Sequence, residues 1–346
     1  EERVRLDRFF SQAAGASASF TLTITDPRCH PARMRAILLL VLLAVHPGLA
    51  QETPPPCLFG TGDLPATINP GGPHGSQIPV DHILVLMQEN RSFDHYFSRL
   101  PRQRVRGAEN PDPLGGPPIR RFHQTRLCEV KDLAHSWNSS HREWNGGALD
   151  GFTAQNADPT LDPSGARAMG YYTKKDIPYY YRLYRTFAMS DRHFCSLLGP
   201  TWPNRHFLLT GTAFGHKSNA APTVVTEFSQ RTIFEALDQA GVSWKIYSGD
   251  LAFGLVYAYV RSHPEKAPAT AEIYTDAAAG TLPQVAFVDP AFFGEGESDE
   301  HPPANAQLGQ QFVAQVVDAL MHSPLWTRLA LFITYDEHGG YWDHVP

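Results

Sequence analysis

The sequence is sparing with charge and with cysteine. Charged side chains make up 18% of the 346 residues, and the balance is acidic, at −6 with histidine neutral. No basic run or stripe is present, which argues against a nucleic-acid partner. Four cysteines stand at positions 29, 57, 128 and 195, with no CxxC pair and no Cys/His zinc spacing. That excludes a structural zinc module. No internal repeat appears, and no apolar run after residue 50 is long enough to span a membrane. Histidine, by contrast, is plentiful at 16 residues, several of them beside carboxylates. The pairing suits metal or phosphate chemistry, although many histidines are ordinary surface residues.

The N-terminal segment does not read as part of a fold. From Met34 the chain runs "MRAILLLVLLAVHPGLAQETPPPC". Arg35, the apolar run Ala36 to Val45 and the small residues Gly48-Leu49-Ala50 make a secretory signal pattern over 34–50. Residues 1–33 are then expected to be an upstream extension, with Met34 the start. Residues 51–79, rich in Pro, Gly and Thr, are expected to be a linker, and 80–346 a single domain. The expected location is secreted or periplasmic. Export permits a disulfide, but Cys57, Cys128 and Cys195 leave one thiol over, and the sequence does not say which.

Within 80–346 the pattern alternates. Val80 to Met87 is a continuous apolar run of strand length, as in a parallel sheet buried on both faces. "TIFEALDQAG" carries Thr232 and Glu235 in capping-box spacing, with Gly241 placed to stop the helix. "VSWKIYS" and "LPQVAFVDP" read as strands. "AQLGQQFVAQVVDALMHSP" sets Leu308, Phe312, Val316 and Leu320 four apart, with Val313 and Val317 beside them, the apolar face of a helix. "RLALFITYDE" is a further strand. Strand, helix and strand in this order predict an α/β sandwich with a mostly parallel central sheet flanked by helices.

In such sheets ligands gather at the carboxyl ends of the strands. Glu89 and Asn90 follow the first strand, and Asp336 and Glu337 follow the last. If the two strands are central and parallel, three carboxylates and an amide meet at one edge and repel without a cation. Oxygen ligands favour Ca²⁺, Mg²⁺ or Mn²⁺, although Zn²⁺ also accepts carboxylates. Taken singly, each pair reads equally well as a strand-end turn. Arg91 and Asp94 in "ENRSFDHYF" could form a structural ion pair. In "GPTWPNR", Thr201 sits at an expected helix N-terminus, where free N–H groups can hold a phosphate and the helix dipole eases an alkoxide. In isolation it serves equally as a cap.

Together, "ENRSFDHYF", "GPTWPNR" and "TYDEHGGYWDHV" resemble the bacterial and plant phosphoesterase family of phosphatidylcholine-type and non-specific phospholipases C and related acid phosphatases. The likeness spans roughly residues 80–346 and implies an alkaline-phosphatase-like α/β sandwich. It implies a divalent cation held by Glu89, Asn90, Asp336 and Glu337, and a nucleophile at Thr201. It implies catalytic histidines at His135 and His301, and substrate contacts from Asp150, His338 and His344. Where family members often carry a Lys two residues before the acid, this chain has Ala148, so a cationic phosphate contact is missing. The family also continues past its "DHV" motif, so the domain is expected to be incomplete at its C-terminus, with apolar surface exposed.

The activity implied is metal-assisted phosphoester hydrolysis, most concretely of phospholipids to diacylglycerol and a phosphorylated head group. That would bring transient contact with a membrane surface. The alternatives are an acid phosphatase on soluble monoesters and an inactive family member. A sulfatase is disfavoured, because "TWPNR" stands where a formylglycine-type Cys motif would be required. Tyr171, Tyr172 and Tyr179 to Tyr181 could meet lipid, but core packing is the expected use.

Overall fold

A computed structural model describes residues 71–73, 75–101, 108–220 and 228–346. The expected extension, signal segment and most of the linker lie outside the described residues. The chain divides into two compact units, one of them His30–Val80 and the other containing Asp81–Pro346. In the first, the described residues hold a short 3-10 turn, Gly75–Gln77, closed by the Ile78 N–H on the Gly75 carbonyl at 3.0 Å.

The second unit is built on four parallel strands: β1 (His82–Gln88), β2 (Trp244–Ser248), β3 (Val285–Asp289) and β4 (Leu329–Tyr335). Their spatial order is β2-β3-β1-β4, with His82 opposite Leu329 and Ile83 opposite Val285. β1 thus lies between partners some 200 and 250 positions later in the chain, and its apolar character is that of an inner strand. Seven helices matter to the packing: α1 (Phe93–Phe97), α2 (Trp137–Trp144), α3 (Pro178–Thr186), α4 (Thr201–Thr210), α5 (Ile233–Gln239), α6 (Ala271–Ala279) and α7 (Ala306–Met321).

Alternation along the strands sends side chains to opposite faces, and each face has its own core. Leu84 and Leu86 of β1 and Val288 of β3 pack with Ile273 of α6 and with Phe312, Val313, Val316, Val317 and Leu320 of α7. Burying each such side chain contributes roughly 1.5–3 kcal/mol. Val85, Ile246 and Phe287 face the other way, onto Leu209 of α4 and Phe234 of α5. The result is a sheet between two helical layers, as the alternating pattern predicts.

Local signals hold as well. Thr232 Oγ1 accepts the Glu235 N–H at 3.4 Å, and Glu235 Oε2 accepts the Thr232 N–H at 2.7 Å, so the capping box is complete. Tyr172, Tyr179, Tyr180 and Tyr181 are buried in the first core, not presented to solvent. Cys128 is bonded in a disulfide and Cys195 is a free thiol. Among the described residues β4 hydrogen-bonds on one side only, and Phe332 on its outer face is 57% exposed. No helix among the described residues is long and apolar enough to cross a membrane.

Candidate active site

Each strand of the sheet ends at the same edge, and the loops leaving it build the site. After β1 the chain turns at Asn90, whose φ is +58°, a left-handed conformation that asparagine tolerates better than most residues. After β4 the turn is made by Gly339 at φ +64° and Gly340 at +73°. A Cβ on Gly339 would lie 2.0 Å from the Asn90 carbonyl oxygen, and one on Gly340 would lie 2.6 Å from that of Ala134. Both glycines are therefore needed for close approach as well as for their backbone angles. They press the β4 loop against the β1 loop and against the segment carrying His135.

The approach brings the expected residues together. Asp336 Oδ1 accepts the Asn90 N–H at 3.0 Å. Thr201 Oγ1 donates to Asn90 Oδ1 at 3.4 Å, and the Asn90 amide nitrogen lies 3.2 Å from His135 Nε2. His135 Nδ1 faces the Leu133 carbonyl at 2.8 Å, so the ring proton sits there. Nε2 is left to accept from Asn90. Glu337 Oε1 lies 4.0 Å from His135 Nε2. Glu89, Asn90, His135, Thr201, Asp336 and Glu337 are all buried.

Thr201 is the first residue of α4, and the cap position before it is Pro200, which makes no side-chain capping bond. The helix end also offers fewer free donors than the sequence suggests. The Trp202 N–H is taken by Asn219 Oδ1 at 2.9 Å, and Pro203 has none. Dedicated phosphate binding by these amides is thus less prominent than expected, and the hydroxyl's polar neighbour is Asn90.

Arg205, one turn along α4, is a site residue the sequence did not reveal. It is buried, donates from Nε to Glu89 Oε1 at 3.0 Å and from an Nη to Asp289 Oδ1 at 3.2 Å. Its place in "TWPNR", four residues after Thr201 and so on the same helix face, was the available signal. Burial pushes the Glu89 carboxyl up to about 8, with Asp336 and Asp289 adding to it and Arg205 opposing. Burial also drives Glu337 well above the usual carboxylate range, reinforced by Asp336.

Asp132 is a second addition. Its Oδ2 lies 3.7 Å from His135 Nδ1 and 3.8 Å from His301 Nε2. The His135 and His301 rings meet edge to face with centroids 5.7 Å apart. His301 Nδ1 donates to the Pro302 carbonyl at 2.6 Å, and burial lowers its pKa against the pull of Asp132. Arg91 does not pair with Asp94. Its guanidinium forks onto the Glu300 carbonyl at 2.9 and 2.6 Å, next to His301, while Arg121 faces Asp94 at 3.9 Å.

The three expected substrate residues have other immediate partners. His338 is half-buried beside Ser140 Oγ at 3.1 Å and Glu143 at 3.7 Å, and desolvation, with His135 nearby, lowers its pKa to about 3. Asp150 accepts from Asn145 Nδ2 at 2.8 Å, a contact local to the end of α2. His344 pairs with Asp94 Oδ2 at 2.8 Å and lies 3.6 Å from Asp191. Neither Asp150 nor His344 is brought into contact with Thr201 or its neighbours.

The donor set fits a divalent cation. Asp336 Oδ2 and Glu337 Oε1 are buried carboxylate oxygens without a hydrogen-bond partner, a costly state unless a ligand completes it. Asp132, His135 and His301 present ligand atoms within 4.8 Å of one another, as do Asp94, Asp343 and His344. Glu89 is drawn to Arg205, and the trio Glu89, Asp336 and Glu337 is not so closely gathered.

The family model described as the Phosphoesterase family matches residues 80–346. Phospholipase C A and phospholipase C B of Mycobacterium tuberculosis are each 33% identical to this chain, over 334 and 337 residues, covering 83% of this chain and 62% of theirs. Non-specific phospholipase C1 of Arabidopsis thaliana is 32% identical over 296 residues, 79% of this chain and 55% of the relative. The chain therefore spans less than two thirds of the length of these relatives.

Proposed function

This chain belongs to the Phosphoesterase family, and we propose from that premise that it is a secreted, metal-dependent phospholipase C. It would hydrolyse phospholipids to diacylglycerol and a phosphorylated head group. The observation that carries this reading is the convergence of Thr201, Asn90, His135, Asp336 and Glu337 at one sheet edge, with two buried carboxylate oxygens unpartnered.

Asn90, Asp336 and Glu337, with Glu89, would hold the cation. When bound, it supplies positive charge beside the phosphate and lowers the cost of a threonine alkoxide. The remaining chemistry falls to the chain's own groups. Asn90 fixes the direction of the Thr201 hydroxyl through its carbonyl oxygen and the tautomer of His135 through its amide. Thr201 Oγ forms a bond to phosphorus, the bond from phosphorus to the glycerol oxygen breaks, and that oxygen takes a proton to leave as diacylglycerol. His301, with its Nδ1 proton committed to Pro302, has Nε2 free to take the Thr201 hydroxyl proton and then hand it to that leaving oxygen. Water then cleaves the phosphothreonine and releases the phosphorylated head group. Arg205 holds Glu89 and Asp289 in place beside the reacting group.

The test is product analysis with the full-length protein, stripped of metal and then resupplied, on phosphatidylcholine vesicles and on p-nitrophenyl phosphate. The expected result is metal-dependent release of diacylglycerol and phosphorylcholine. Inorganic phosphate from the monoester, with no diacylglycerol from vesicles, would replace this reading with an acid phosphatase.

A further inference from the structure

Two of the more exposed large apolar side chains in the described residues stand on adjoining loops at the sheet edge that carries the site. Leu251 is 54% exposed and Phe293 69% exposed. Leu251 belongs to the loop leaving β2 and Phe293 to the loop leaving β3. The loops are fastened together: Asp250 Oδ2 accepts the N–H groups of Phe292 and Phe293 at 2.8 and 2.9 Å, and the Gly249 N–H donates to the Asp289 carbonyl at 3.1 Å. A Cβ on Gly249 would lie 2.4 Å from the Ala291 nitrogen, so the backbones touch. The β3 loop is also closed on itself by the Ser298 N–H to the Ala291 carbonyl at 2.9 Å. Leu251 and Phe293 are thus exposed on two loops that are fastened to each other.

That frame is joined to the reacting groups. The Phe292 ring lies 5.0 Å from the Arg205 guanidinium, which grips Glu89. Trp202, next to Thr201 and half-buried, meets the Phe253 ring at 5.4 Å. The apolar pair is therefore on the rim of the Thr201 site. The loops' own charges are of one sign: outside the buried Asp289 and Asp299, residues 249–257 and 289–299 carry Asp250, Glu295 and Glu297 and no Lys or Arg.

We infer that Leu251 and Phe293 form a wedge that enters the apolar layer of a zwitterionic phospholipid surface and seats the Thr201 site over a head group. The inference rests on the phospholipid reading given above and adds the docking surface. Apolar residues on a rigid rim gain by leaving water at such a surface. The acidic rim complements the outward ammonium of a zwitterionic head group and opposes an anionic surface.

The experiment uses the full-length protein, sucrose-loaded phosphatidylcholine and phosphatidylglycerol vesicles, and the soluble diester p-nitrophenylphosphorylcholine. The double variant Leu251→Ser, Phe293→Ser should sediment with phosphatidylcholine vesicles at least tenfold more weakly than wild type. It should lose vesicle hydrolysis in the same proportion and keep its rate on the soluble diester within twofold. Thr201→Ala should bind vesicles like wild type. Unchanged vesicle binding by the double variant, tighter wild-type binding to phosphatidylglycerol, or a variant that alters only self-association would overturn the wedge. Vesicle binding that falls in the variant while wild type hydrolyses no ester would leave the wedge standing and sink the phospholipase reading.

Discussion

Glu89, Asp336 and Glu337 at the strand tips, and Asp94, Asp343 and His344 a few residues further along the same two segments, are similar side chains in similar order. Their surroundings differ. Asp94 is answered by His344 at 2.8 Å and Arg121 at 3.9 Å, and His344 also meets Asp343 at 3.3 Å and Asp191 at 3.6 Å. One Asp94 oxygen lacks a hydrogen bond, but that oxygen is the one Arg121 faces. At the strand tips a single guanidinium, Arg205, turns to Glu89 and Asp289, while one oxygen each of Asp336 and Glu337 has no partner. The contrast teaches that the carboxylates whose charge is met locally hold the loops, and those left unmet are where a ligand is due.

Substitutions can break this contrast, the largest effect coming first. Thr201→Ala should lower kcat by about 10³-fold or more, with the melting temperature unchanged. Turnover within tenfold of wild type would remove Thr201 from the nucleophile's role. Glu337→Gln should lower turnover by roughly 10²-fold and yet raise the melting temperature of the metal-free protein, because it relieves like-charge repulsion in a buried site. A fall in that temperature would show that Glu337 is already satisfied. Asp94→Ala should act oppositely, costing about 2–4 kcal/mol in urea unfolding by stranding His344 and Arg121. Its folded fraction should retain turnover on a soluble diester within a few-fold.

The smallest effect is a pH dependence. Hydrogen bonding to Asp343, with Asp94 assisting against partial burial, raises the His344 pKa to about 9. Burial pushes Asp94 up to about 6, against the pull of Arg121 and His344, so near pH 7 the pair is charged on both sides. A histidine whose folded pKa is raised stabilises fully below its unfolded value of about 6.5 and loses that contribution as pH climbs through 9. Unfolding free energy should therefore drop by roughly 1–2 kcal/mol between pH 7 and pH 9.5, allowing for solvent screening. The drop should vanish in His344→Gln; if it persists there, another group is responsible.

The sequence made the sheet legible because hydrophobic periodicity and caps are local. The runs at 80–87 and 329–335 and the stripe along α7 depend on residues within a few positions of one another, and they appear at His82–Gln88, Leu329–Tyr335 and Ala306–Met321. Convergence of Asn90 with Asp336 followed from assuming parallel strands, and β1 and β4 are indeed neighbours. What stayed hidden depended on distant partners. Nothing near Arg91 announces that its guanidinium serves the Glu300 carbonyl, and nothing near Glu89 announces Arg205. His344 is linked to Asp94 across 250 positions, a contact no local pattern encodes. Leu251 and Phe293 likewise gain meaning only when two loops 42 residues apart are joined by Asp250.

The pairing of His82 with Leu329 also sets a timetable. A polypeptide emerging from the ribosome exposes Asn90 and then Thr201 long before the strand that delivers Asp336 and Glu337 exists. Until that last parallel partner docks, the edge lacks Asp336 and Glu337. Such non-local closure slows folding, and here it means that the candidate site is assembled only once the chain has been made well past residue 330.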